Sequence, residues 1–195
     1  MKHALPLLLL MVLCAGLLAL FQHLALPRIE QQRQAAAERA LLDLLSPGSY
    51  DNHPLQQPIA LSAGGLLGNR RAASAYLARL HGQPSALLLP VTSQGYEGPI
   101  HLLVAISPDG HLLASKVMQQ QETPGLADLL SDARHLWLAT FDGKDLNSEW
   151  TLRTDGGTID QIAGATITSH AVSDALQRAL RFFDAERQRL LAGQP

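Results

Sequence analysis

"GPIHLLVAISPDGHLLASKVM", residues 98–118, sets two apolar runs on either side of "SPDG". Pro108 and Gly110 suit the second and fourth positions of a type I turn, so the runs predict an antiparallel hairpin. By the two-residue period of a strand, Ile100, Leu102, Val104 and Ile106 share one face, and Leu103 and Ala105 take the other. Both sets are apolar, which predicts a hairpin covered on both sides. "ALLLPV", residues 86–91, is a further candidate for a buried strand. Downstream, "TIDQIAGATITSHAVSDALQRALRFF", residues 158–183, reads as a short extended piece, a small-residue turn and a helix. The helix carries an apolar stripe of Ala171, Val172, Ala175, Leu176, Ala179, Leu180 and Phe183. Strands followed by a helix predict an α+β domain whose sheet is largely antiparallel and flanked by helices.

Upstream the composition changes. "ALPLLLLMVLCAGLLALF", residues 4–21, holds no charge and is long enough as a helix to cross a hydrocarbon core of roughly 30 Å. An uncleaved membrane anchor is favoured over a signal peptide, because no small-x-small site follows closely. Leu13 stands where a lipoprotein site at Cys14 needs a small residue. "RIEQQRQAAAERALLDLL", residues 28–45, has helical spacing, and "SPGSYDNHPLQQP", residues 46–58, breaks it. The expected organisation is an anchor over 1–27, a helical connector and linker over 28–58, and one domain over 59–195. Residues 59–83 give a weak signal. Within them "GGLLGNRR" lacks the pattern of a phosphate loop or a dinucleotide fingerprint, and reads as a turn bearing a surface arginine pair.

The net charge of -2, with 15 Lys and Arg scattered along the chain, argues against a nucleic-acid partner. One cysteine rules out an intrachain disulfide and a CxxC pair. The eight histidines show no HxH or HxxxH spacing, and no GxSxG elbow is present. Chemistry is therefore sought at "AGATITSH", residues 163–170. Gly164 and Ala165 let backbone approach a ligand closely, and Thr166 follows at a helix start, where unpaired N–H groups and the helix dipole favour an anion such as phosphate. On local physics alone a plainer reading stands beside it: Thr166, Thr168 or Ser169 caps the helix, with Asp174 near its start.

Three motifs in order extend this reading. "DQIAGAT", residues 160–166, resembles the Asp-x-x-Ser/Thr-Gly-Ala-Thr flavinylation motif of the FMN-binding domain family, found in the G subunit of the Rnf electron-transport complex and the C subunit of the sodium-pumping NADH:quinone reductase. "GYEGPIHLLVAISPDG" is similar to the family's Gly-Tyr-x-Gly-x-Ile strand pair, and "ETPGL" to its Glu-Thr-Pro-Gly-Leu loop. The resemblance covers roughly residues 85 to 185, and the short chain is closer to the Rnf G subunit. It implies FMN joined as a phosphoester to Thr166 by a flavin transferase that recognises Asp160, with Gly164 and Ala165 leaving room for both. Glu122, Thr123, Gly125 and Leu126 become candidates for non-covalent flavin contacts, and Thr168, a second hydroxyl two residues on, is the alternative attachment site. Two positions depart from the family: Ala163 replaces its usual Ser or Thr, and Ala127 a common glycine.

The resemblance further implies an electron-transfer subunit of an Rnf-type ion-translocating complex, partnered by the other subunits. It implies a single pass through the bacterial inner membrane, with the domain on the periplasmic side. The charge count points the other way, since Lys2 precedes the anchor and Arg28, Arg33 and Arg39 follow it. An accessory or regulatory flavoprotein serving another periplasmic system, and a non-redox anchored assembly protein with Thr166 as a helix cap, are the alternatives.

Overall fold

The computed structural model describes residues 39, 41–123, 130 and 137–193. The predicted anchor, most of the predicted helix over 28–45, and Gly125, Leu126 and Ala127 lie outside the described residues. Among those described, no helix is long and apolar enough to cross a membrane. The chain divides into two compact units, 1–43 and 44–195. The described residues of the first form a helical turn, in which the Asp43 N–H donates to the Arg39 carbonyl at 2.8 Å.

The second unit is built on five antiparallel strands in sequence order: β1 (Pro58–Leu61), β2 (Ala73–Leu80), β3 (Gln83–Gln94), β4 (Pro99–Ile106) and β5 (Leu112–Gln119). A long helix, α1 (Thr166–Ala192), packs against β3 and β4. The SPDG turn forms as its residues dictate, with the Gly110 N–H donating to the Ser107 carbonyl at 3.0 Å. Two register shifts, at His101/Leu102 and Ala105/Ile106, bend the β4–β5 pair. Leu87 pairs with Ile106, Leu89 with Val104 and Val91 with Leu102. All six belong to the core that also holds the predicted helical stripe. On the opposite face Leu88, Leu103 and Ala105 are buried as well. β4 is covered on both sides, as its two apolar sets require, whereas β5 at the edge of the sheet leaves Leu113 and Met118 exposed, so the expectation of a hairpin covered on both sides holds for its first strand only.

β1 and β2 arise from the segment whose sequence signal is weak. β1, "PIAL", has only four residues, and in "ASAYLARL" alanine and leucine fall on both faces, which hides the two-residue period of β2. The turn after it is more telling. His81 and Gly82 have φ of 51° and 77° and join Leu80 to Gln83, the paired positive φ values of a two-residue type I′ hairpin. His81 stands there instead of the usual Asn or Asp. The Asp51 carboxylate accepts the His81 N–H at 2.8 Å, and Asn52 bonds both the Leu77 carbonyl (2.9 Å) and the Arg79 N–H (2.8 Å).

Arginines fix α1 along the sheet. Arg178 donates to the Leu66 and Thr92 carbonyls, Arg187 donates to the Pro108 carbonyl at 3.0 Å through Nε, and Arg79 reaches the Leu191 carbonyl at 3.3 Å. The aromatic residues gather before the helix, where Phe141 meets Trp137 edge-on (5.1 Å) and stacks on Trp150 (6.0 Å). These contacts leave the first turn of α1 facing the β3–β4 turn and the residues that follow β5.

Candidate functional site

The helix begins without a side-chain cap. Its N-cap residue is Ala165, with φ -125° and ψ 48°, so neither threonine nor Ser169 caps it, and no acidic residue occupies its first turn. The local capping reading is corrected here, and the geometry shows why. Ser169 lies inside the helix, where its hydroxyl donates to the Ala165 carbonyl (2.9 Å) and accepts the Ile162 N–H (2.9 Å). It closes the small-residue turn from within. Gly164 sits at φ +77°, a conformation that costs an L-residue about 1–2 kcal/mol. Glycine is thus required by the backbone, in addition to the space it leaves. The first helical bond runs from the Ser169 N–H to the Ala165 carbonyl at 2.9 Å, so the N–H groups of Thr166, Ile167 and Thr168 precede the ladder.

A cleft of about 430 Å³ opens at this helix start, lined by Tyr96, Glu122, Thr123, Gly164, Ala165, Thr166, Ile167 and Thr168. Its volume falls in the range of small-molecule and cofactor sites. Six of the sequence-predicted residues therefore meet on one cleft. The two threonines differ sharply within it: Thr166 is exposed, whereas Thr168 is 2% exposed and its hydroxyl donates to Glu122 Oε2.

Glu122 is the buried charge of the site. Its Oε2 accepts the Tyr96 N–H at 3.1 Å, and its Oε1 accepts the N–H groups of Glu97 (3.1 Å) and Gly98 (3.4 Å). Burial opposes its ionisation, but the Thr168 hydroxyl and the three backbone donors outweigh that and hold the carboxyl below the ordinary glutamate range. The turn it grips is closed by the Gly95 N–H on the Gly98 carbonyl at 2.8 Å. A Cβ at Gly95 would lie 2.3 Å from Glu122 Oε1. The glycine of "GYEG" is there because the carboxylate is. Thr123 donates to the Glu97 carboxylate beside it.

Asp160 is not on the cleft. It is exposed and paired with Arg153 at 2.8 Å, and its carbonyl accepts the Trp137 indole N–H at 2.5 Å. Sequence reasoning missed Tyr96 and Ile167, which line the cleft while 69% and 55% exposed. Both left a trace: Tyr96 is an aromatic in a glycine turn, and Ile167 is an apolar residue off the helical stripe. A wider groove of about 580 Å³ shares Ile167 and runs past Arg70, His170 and Asp174 to Arg178. Thr166 does not line it, and Arg178 already gives its donors to the Leu66 carbonyl, the Thr92 carbonyl and the Ser93 hydroxyl.

An exposed hydroxyl at a helix start, with unpaired N–H groups behind it and a cleft in front, is a geometry able to take a phosphate-bearing small molecule. The pattern of the FMN-binding domain family matches residues 95–181, from the glycine beneath Glu122 to the middle of α1. Along its length the chain is 47% identical to the G subunit of the ion-translocating oxidoreductase complex of Pseudomonas aeruginosa (strain UCBPP-PA14), covering 98% of this chain and 92% of that protein. It is 34% identical to the corresponding G subunit of Shewanella loihica, over 92% and 87% of the two. The chain belongs to the family of G subunits of ion-translocating oxidoreductase complexes. In fold it is similar to the crystal structure of NqrC from Shewanella oneidensis, with a TM-score of 0.53 and 22% identity over 77% of this chain and 76% of that one.

Proposed function

We propose that this chain is the electron-transfer subunit of an ion-translocating oxidoreductase complex and carries FMN as a phosphoester on Thr166. The observation that carries this reading is the asymmetry of the two threonines. Thr166 is exposed on the cleft, while Thr168 is buried and committed to Glu122. Only Thr166 can reach an incoming phosphate. The unpaired N–H groups at the start of α1 favour the phosphate's charge, and Gly164 and Ala165 add little bulk beside it. Bound there, FMN supplies the redox chemistry, and the protein binds and orients it.

A threonine hydroxyl is a weak nucleophile until a base or metal activates it, and among the described residues the Thr166 hydroxyl has no hydrogen-bond partner to act as that base. Attachment therefore falls to a flavin transferase as maturation partner, which reads the exposed Asp160 outside the cleft. Residues 1–27 serve as a single inner-membrane anchor, 28–58 as connector and linker, and 59–195 as the flavin domain on the periplasmic side. Gly125 and Leu126 join Thr123 as non-covalent contacts. The other subunits of the complex supply and remove the electrons.

Ester formation replaces the Thr166 O–H bond with an O–P bond while the donor's bond from that phosphorus to its leaving group breaks, and the leaving group departs with the hydroxyl proton, so the chain gains FMN minus water. Intact mass of the chain co-produced with a flavin transferase should show that increment. Thr166→Ala should abolish it and Thr168→Ala should leave it. An unmodified wild-type chain under these conditions would refute the reading.

A further inference from the structure

Glu122 belongs to the loop that the family resemblance assigns to flavin contact, yet its hydrogen bonds leave no room for that role. A carboxylate has about four lone-pair sites. Here Oε1 accepts the Glu97 and Gly98 N–H groups, and Oε2 accepts the Tyr96 N–H and the Thr168 hydroxyl. All four are used by this chain. The residue is buried, and the position beneath it is closed to any side chain at Gly95.

The bonds have a definite direction. Oε2 joins the Tyr96 backbone to a side chain in the first turn of α1, so one atom ties the β3–β4 turn to the helix that bears Thr166. The neighbours of those two anchor points, the Tyr96 ring and Ile167, are the exposed apolar side chains that line the cleft. Both border the same opening, so a ring bound there takes their apolar surface out of water.

We propose that Glu122 is a positioning residue: its fully bonded carboxylate fixes Tyr96 and Ile167 relative to each other as apolar walls of the cleft, and it makes no bond to the flavin. Resting on the reading of Thr166 as tether, this assigns attachment and immobilisation to different residues. Thr166 keeps the flavin on the protein, and the Glu122 clamp keeps it in one environment. Without the clamp a tethered flavin remains attached but samples many environments.

The test uses the full-length chain in detergent, co-produced with a flavin transferase, as wild type, Glu122→Gln and Thr168→Val. A glutamine amide presents two donors to sites that now face donors, so it cannot satisfy both the Tyr96 and the Glu97/Gly98 sides. Thr168→Val keeps the shape and removes one donor, and it decides the matter if Glu122→Gln does not fold. Intact mass should show the FMN increment in every folded protein. Wild type should show a visible circular-dichroism band from its flavin and resist iodide quenching of flavin fluorescence. In the variants the band should fall, and quenching should rise toward that of free FMN.

Unchanged band and quenching in folded, flavinylated variants would overturn the proposal. So would a wild-type flavin as accessible as free FMN, since there would be no fixed wall to lose. Loss of the increment in a folded variant alone would assign Glu122 to attachment and overturn it too. Absence of the increment in wild type would instead overturn the reading of Thr166, and the clamp's role with it.

Discussion

The two ends of α1 are made of opposite materials. From Ala171 to Leu190 the helix buries alanine, valine, leucine and phenylalanine against the sheet, and arginines bind it to carbonyls of the turns around it. It ends on Gly193 in the left-handed conformation at φ 72°, a common helix stop. Its first turn has no capping side chain, exposes Thr166 and Ile167, and hides a threonine against a buried carboxylate. The distal part of the helix holds the fold together. The first turn sacrifices such packing for a cleft, and its one strong device, Glu122, is polar and specific in geometry.

Substitutions should reproduce that division, in descending order of stability lost. Phe183 is 1% exposed, and truncation of a buried phenylalanine costs about 3–5 kcal/mol. Phe183→Ala should therefore lower the denaturation midpoint most, as measured by chemical unfolding, while the folded fraction keeps its cleft. Gly95→Ala forces a methyl group to 2.3 Å from Glu122 Oε1. Overpacking of this kind costs about 1–3 kcal/mol, and the same denaturation experiment should find it second. If Gly95→Ala proved harmless, the clamp would be softer than its geometry shows.

The same division decided what could be read in the sequence. The hairpin at 98–118 and the stripe on α1 were legible because burial on a regular element imposes a period of 2 or 3.6 residues. β1 and β2 were not, since β1 has only four residues and alanine and leucine fall on both faces of β2. Thr166, Gly164 and Glu122 were visible as motif positions, but their roles were not. The burial of Thr168 and the saturation of Glu122 with donors depend on contacts between residues as far as 46 positions apart. That Ser169 closes the turn depends on where the helix starts. Local propensity has no term for either. Tyr96 was passed over for a related reason, because an exposed aromatic has meaning only beside the cleft it lines.

Smaller effects sharpen the picture of the first turn. Gly164→Ala must place a methyl-bearing residue at φ +77°, at about 1–2 kcal/mol, partly offset by about 0.4–1 kcal/mol from reduced freedom of the unfolded chain. The net loss should lie between about 0 and 1.6 kcal/mol, and intact mass should show reduced flavin attachment. Acid acts through Glu122. Its folded pKa lies below the unfolded value of about 4.5, so its stabilisation is complete above that value and disappears as pH falls through the lower, folded one. Urea midpoints measured from neutral pH into the acid range should show this component in wild type, and Glu122→Gln should remove it.

The smallest stability effect is expected where the functional effect is total. Thr166 is exposed and provides no cap, and surface changes away from special features stay within about 0.5 kcal/mol. Alanine is also the better helix former by a few tenths of a kcal/mol. Thr166→Ala should therefore unfold at the wild-type denaturant concentration, or slightly above it, when both are compared without flavin. A marked loss would mean that the hydroxyl serves the fold, which would return it to the role of a structural threonine. An unchanged midpoint together with a missing FMN increment would show that this first turn keeps Thr166 for its ligand alone.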